Sequence, residues 1–127
     1  MIVLDATFLV DYLNAETAAA AFLEENREKP FFAPTLALFE AYRGAARTDG
    51  RDGLTRVTDA LDWIEPLNQT EPVAREAARI EAELLEDGSP INLGDVLIAA
   101  VCRHNGGQLV TRDSHFEHVD GLETMSY

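Results

Sequence analysis

The sequence predicts an α/β fold: a three-layer sandwich around a central, mostly parallel sheet. Three observations carry that prediction. Short apolar runs such as Ile2-Val3-Leu4 and Leu109-Val110-Thr111 have the length of buried strands. Helical stretches with recognisable start and stop signals separate them. Strands separated by helices pair in parallel through right-handed crossovers.

The first strand, roughly Ile2 to Leu4, runs straight into a short helix at about Thr7 to Leu13. A second helix follows near Glu16 to Asn26, where the run Ala18 to Ala21 gives high helix propensity. Pro30 ends that segment, and Phe31-Phe32-Ala33 reads as a short buried strand before Pro34. Thr35 is an N-cap candidate for a helix through about Arg47. The polar stretch Thr48-Asp49-Gly50-Arg51-Asp52-Gly53 reads as a loop. A helix from about Leu54 to Asp62 then leads to a third strand near Ile64 to Leu67. Thr70 or Glu71 caps a long helix with Pro72 in its first turn, ending before Gly88-Ser89-Pro90. Asn92 caps an apolar helix to about His104, which Asn105-Gly106-Gly107 stops. Leu109 to Thr111 and Leu122 to Met125 are the last strands. No repeat or linker interrupts the chain, so residues 1–127 are expected to form one domain.

Composition narrows the class. The hydrophobic fraction, 46%, is that of a globular protein with a core to bury. Cys102, the single cysteine, cannot form an internal disulfide and reads as a small buried hydrophobe. The run Ile2 to Leu13 lacks a basic leader and carries Asp5 and Asp11, so it is no export signal. A soluble, cytoplasmic protein is the expectation. The net charge is −13, with 23 acidic against 10 basic residues, and Lys29 is the only lysine. Acids spread over the whole chain with almost no lysine point to a salt-adapted, halophile-like surface. That acidity would ordinarily repel nucleic acid. At 1 M salt, however, screening acts over about 3 Å, so an RNA partner is not excluded.

Four carboxylates stand where such a fold puts its chemistry: Asp5, Glu40, Asp95 and Asp113. Asp5 closes the first strand and Asp113 follows the Leu109 run, at the carboxyl ends where open α/β sheets bind ligands. Glu40 lies in an apolar helix beside Phe39. Asp95 opens the most hydrophobic helix, where the helix dipole favours a carboxylate. Taken singly, each has an ordinary structural explanation: a turn former, a surface residue, a capping residue or a turn initiator. Together they are better explained as a shared site, because clustered carboxylates repel one another and a divalent cation reverses that penalty. Oxygen-only ligands suit Mg²⁺ or Mn²⁺, and His104, His115 and His118 lack a zinc-site spacing. Phosphoaspartate chemistry needs a lysine at the sheet's end, and Lys29 lies on the other side of the second strand. No phosphate-cradling glycine loop and no G-x-S-x-G elbow is present.

In this setting Asp5-Ala6-Thr7, Thr35-Leu36-Ala37-Leu38-Phe39-Glu40, Gly94-Asp95-Val96-Leu97-Ile98-Ala99-Ala100 and Leu109-Val110-Thr111-Arg112-Asp113-Ser114-His115-Phe116, with Gly121-Leu122 after them, occur in order. The pattern resembles the PIN-domain ribonucleases, and within them the VapC-type toxins of toxin–antitoxin pairs. The resemblance covers essentially the whole chain. It implies that Asp5, Glu40, Asp95 and Asp113 bind Mg²⁺, with Mn²⁺ as the alternative ion, and that Thr7 and Thr111 support them. It further implies hydrolysis of RNA phosphodiester bonds, a VapB-like antitoxin and a homodimer. Arg112 and His115 lie near the site in sequence, but a solvated surface role is the expectation for both. Two other readings share the residues: a non-catalytic PIN-like interaction module, and a housekeeping RNA-processing enzyme or DNA nuclease with the same metal site.

Overall fold

The computed structural model describes all residues, Met1–Tyr127. Five parallel strands form one sheet: β1 (Ile2–Leu4), β2 (Phe31–Pro34), β3 (Glu65–Leu67), β4 (Gln108–Val110) and β5 (Glu123–Met125). Their order is β3-β2-β1-β4-β5. The chain thus moves outward from β1 to β3, then returns past its start to add β4 and β5. Ile2 is in register with Phe31 on one side and with Gln108 on the other. β1 is therefore the central strand, and Val3 and Leu4 have no exposed surface. The reversal of strand order lies between β1 and β4, and such a switch point opens a crevice beyond the carboxyl ends of the two strands.

Five helices cover the sheet: α1 (Ala6–Leu13), α2 (Thr17–Glu25), α3 (Thr35–Ala60), α4 (Glu71–Glu86) and α5 (Leu93–His104). With right-handed crossovers, the outward path puts α1 to α3 on one face and the return path puts α4 and α5 on the other. The packing of α1 on α3 and of α4 on α5 agrees with this. The α4 stripe is Val73, Ala77, Ile80 and Leu84, buried at helical spacing, with Glu76 and Glu83 half-buried beside it and most other residues facing water. Thr70 caps α4 by accepting a hydrogen bond from the Val73 N–H at 3.4 Å. In α5 the run Ile98–Cys102 is buried without a break, as its uniform apolarity requires. Cys102 is fully buried, and burial pushes its thiol up to about 12. No helix is long and apolar enough to cross a membrane.

Two expectations need correction. Thr35 does not cap α3; it is the first helical residue, preceded by Pro34 in the cap position without a side-chain hydrogen bond. The stretch 48–53 is not a loop. α3 continues through it with a single kink at Gly50 (φ 61°, ψ −141°), a backbone state open to glycine but strained for other residues. Gly53 then packs so tightly that a Cβ would lie 2.6 Å from the Ala45 carbonyl oxygen. Both glycines therefore serve a sharp bend between two helical halves, and the polar residues around them cover its solvent side. After Asp113 the chain makes a 3-10 turn over Ser114–His118, which anchors the fully buried Phe116.

Candidate functional site

Asp5 follows directly from β1, and its carboxylate caps α1. Oδ1 accepts the Ala6 N–H at 2.7 Å, while Oδ2 accepts the hydroxyls of Thr111 at 2.7 Å and Thr7 at 3.1 Å. The side chain is buried, with 3% of its surface exposed. Burial raises its pKa above the ordinary 3.8; the bonds from Thr111, Ala6 and Thr7 oppose that rise, and the charge of Asp113 adds to it. Thr111 is also buried. Its hydroxyl donates to Asp5 and accepts the Asp113 N–H at 3.0 Å, so one side chain ties the end of β1 to the segment after β4.

Asp95 lies in the first turn of α5. Its own N–H donates to the Asn92 side chain at 2.9 Å, and the Asn92 amide donates back to Asp95 Oδ2 at 2.8 Å. The reciprocal pair resembles a capping box, with the Asn92 side chain supplying both halves. It fixes where the carboxylate points. Desolvation first, then the charges of Asp113 and Asp5, push the Asp95 carboxyl up to about 6, with Asn92 opposing and Glu40 adding.

Glu40 reaches the same place from α3. A Cβ on Gly94 would stand 3.6 Å from Glu40 Oε1, which locates that carboxylate against the first turn of α5. Its pKa is raised by burial and then by Asp5, against the pull of Arg43. Phe39 beside it is 50% exposed, with the Arg43 guanidinium over its ring at 5.1 Å. An open hollow of about 330 Å³ next to Glu40 is lined by Ala6, Thr7, Val10, Asp11, Glu40 and Arg43. Asp113 caps the 3-10 turn by accepting the His115 N–H at 2.9 Å.

All four expected acids thus converge on the crevice at the switch point, and Asp95 feels the charge of each of the others. Thr7 and Thr111 both contact Asp5. No lysine or arginine forms an ion pair with Asp5, Glu40, Asp95 or Asp113. Asp5, Glu40 and Asp95, each raised by burial and by neighbouring carboxylates, form with Asp113 a donor set suited to a divalent cation.

Two features were not anticipated. His115 is exposed, as expected, but its Nδ1 lies 3.1 Å from Asp113 Oδ1, and donor atoms of Asp95, Asp113 and His115 fall within 4.8 Å of one another. The only sequence signal for this is the Asp-x-His spacing, which acquires meaning once the segment is known to turn. Arg112 points away from the acids: it lies over the Tyr127 ring at 4.4 Å and 3.8 Å from Asp11. Tyr127 donates its hydroxyl to Asp11, and burial followed by that bond raises its pKa. Residues 116 positions apart meet there, beyond the reach of any local pattern.

Several solved structures have this fold. VapBC2 from Rickettsia felis, bound to a DNA fragment from its promoter, aligns at a TM-score of 0.90 with 19% identity, covering 100% of this chain and 99% of that one. DNA-bound VapBC from Salmonella typhimurium aligns at 0.87 with 23% identity, covering 98% and 96%. VapC20 of Mycobacterium tuberculosis, a Sarcin-Ricin loop cleaving toxin, aligns at 0.67 with 17% identity, covering 92% and 93%. At these identities the likeness is one of fold. No curated protein matches the chain by sequence. The family model of the PIN domain matches residues 2–122, nearly the whole sequence, and the chain belongs to the PIN-domain family.

Proposed function

We propose that this protein is a metal-dependent endoribonuclease that hydrolyses RNA phosphodiester bonds and serves as the toxin of a toxin–antitoxin pair. The observation that carries the proposal is the meeting of four carboxylates, from four separate segments, in one strand-end crevice with no lysine or arginine ion-paired to any of them. In this reading Asp5, Glu40, Asp95 and Asp113 hold Mg²⁺ or Mn²⁺. A bound cation supplies positive charge that polarises the scissile phosphate and lowers the pKa of an attacking water.

The chain's own part is preorganisation. Three donors aim Asp5 and favour its ionised form. Asn92 orients Asp95, and Glu40 closes the crevice from the α3 side. Thr111 keeps the two strand ends in fixed relation, so the donors need little rearrangement when the ion arrives.

The toxin role rests on likeness to the VapBC complexes of Rickettsia felis and Salmonella typhimurium, which supports a VapB-like antitoxin; a homodimer belongs to the same proposal. RNA as substrate is supported by likeness to a toxin that cleaves the Sarcin-Ricin loop. The decisive experiment incubates the purified chain with structured RNA in Mg²⁺ or Mn²⁺, with and without chelator, beside Asp5→Asn and Asp95→Asn. Cleavage is expected only with metal and wild-type acids, at unchanged circular dichroism. Chelator-resistant cleavage by the wild type would sink the metal mechanism. For the toxin role, the chain is induced in cells with and without an antitoxin encoded beside it, and an absence of growth arrest counts against that role.

A further inference from the structure

We propose that His115 is a nitrogen ligand of the cation, so that the site prefers first-row transition ions such as Mn²⁺ over Mg²⁺. This rests on the metal reading of the acids and departs from an all-oxygen donor set.

The geometry begins with the 3-10 turn. Asp113 Oδ1 accepts the backbone N–H of His115 at 2.9 Å, which folds the chain back on itself two residues after the acid. The imidazole is thereby brought over the carboxylate it follows, with Nδ1 3.1 Å from the same Oδ1. No other polar side chain or backbone group contacts the ring, and it is 61% exposed. Nothing else in the fold has a claim on it.

The donor spacing suits shared coordination. Ligands about 2.1 Å from an ion lie roughly 3 Å apart when adjacent and about 4.2 Å apart when opposite. The His115–Asp113 separation matches an adjacent pair, and the three donors of Asp95, Asp113 and His115 lie within 4.8 Å of one another. A movement of a few tenths of an ångström closes the remaining gap, which an exposed side chain on a surface turn accommodates readily. Without an ion, the same 3.1 Å proximity leaves the ring beside the carboxylate, near a coordinating position.

Chemistry then sets the ion preference. Mg²⁺ takes oxygen ligands and gains little from imidazole, whereas the first-row divalent ions accept imidazole nitrogen, Mn²⁺ the least strongly of them. One histidine among carboxylates therefore discriminates between Mn²⁺ and Mg²⁺ without any change in the acids.

The test uses the whole chain loaded with Mn²⁺ and read by pulsed electron paramagnetic resonance, with Mn²⁺ and Mg²⁺ affinities measured by calorimetry. Wild type is expected to show hyperfine coupling from a directly bound ¹⁴N, and His115→Ala to lose it. The same variant should weaken Mn²⁺ binding roughly tenfold or more while leaving Mg²⁺ binding within about twofold. Saturable Mn²⁺ binding without nitrogen coupling, or coupling that survives in His115→Ala, overturns the role of His115 and leaves the carboxylate site standing. An absence of saturable Mn²⁺ binding that Asp95→Asn can abolish overturns the metal reading itself, and this inference with it.

Discussion

The carboxylates at the strand-end crevice and those on α4 differ in what faces them. Between α4 and α5, Arg103 is only 16% exposed and donates to Glu76, to Glu83 at 3.1 Å and to the Asp120 carbonyl at 2.8 Å. Burial pushes Glu76 up, but the hydrogen bond and charge of Arg103, joined by Arg79, outweigh it and leave the carboxyl below its ordinary 4.5. In the crevice, burial and mutual repulsion outweigh the opposing hydrogen bonds and the pull of Arg43 on Glu40, and Asp5, Glu40 and Asp95 all shift upward. An arginine node is complete as folded. A crevice of raised carboxylates still lacks its positive charge, and this difference separates the two clusters more cleanly than acid content does.

The comparison can be broken at either end. The largest effect is expected at Asp95: Asp95→Asn should lower RNA cleavage by at least about 100-fold with the fold intact, measured as single-turnover rates in Mn²⁺ and Mg²⁺. At the arginine node, Arg103→Met strands Glu76 without its partner and should cost about 2 kcal/mol in urea denaturation, with cleavage per folded molecule unchanged.

The pH dependence should run in opposite directions at the two clusters. Asp95 binds its proton more tightly folded, at about 6, than unfolded, near 3.8. Its contribution is therefore fully present below about pH 4 and is lost as pH rises through 6. Metal-free Asp95→Asn should match wild type at pH 4 and exceed it by on the order of 1 kcal/mol at pH 7, once solvent screening is allowed for. Saturating Mn²⁺ at pH 7 should reverse that order. Glu76 has the opposite sign: its lowered pKa stabilises the fold above about pH 4.5 and ceases to do so as pH falls through the shifted value. Glu76→Gln should therefore be less stable than wild type at pH 7, by a margin that shrinks in acid. Paired denaturation curves at the two pH values measure both slopes. The smallest effect is a control. Arg75 and Glu71 form an exposed pair at 3.1 Å, and Arg75→Ala should change stability by no more than about 0.5 kcal/mol.

Much of the fold was legible because its signals are local. Thr70 and Asn92 announced their helices as capping residues, and short apolar runs bracketed by helices marked a parallel sheet. Asp5, Asp95 and Asp113 could be picked out because strand ends and the first turn of a buried helix are few places, whereas Glu40, inside α3, stood out only by its apolar neighbours. The bend at Gly50 was misread since a polar, glycine-bearing stretch signals a turn without saying whether helix resumes beyond it. His115 was undervalued because its meaning depends on a 3-10 turn after Asp113. The Arg103 node joins residues 20 and 27 positions apart on two helices, and no spacing rule foretells which arginine will be buried between two glutamates.

The bend in α3 also has a use at the bench. Arg47–Asp52 are all exposed, and Glu40 sits ten residues before Gly50, about 15 Å away along the helix axis. A fluorescent reporter or an affinity handle spliced in at Gly50 would leave the helical half bearing Glu40 anchored on α1. The elbow is thus an attachment point from which events at the crevice can be watched without occupying it.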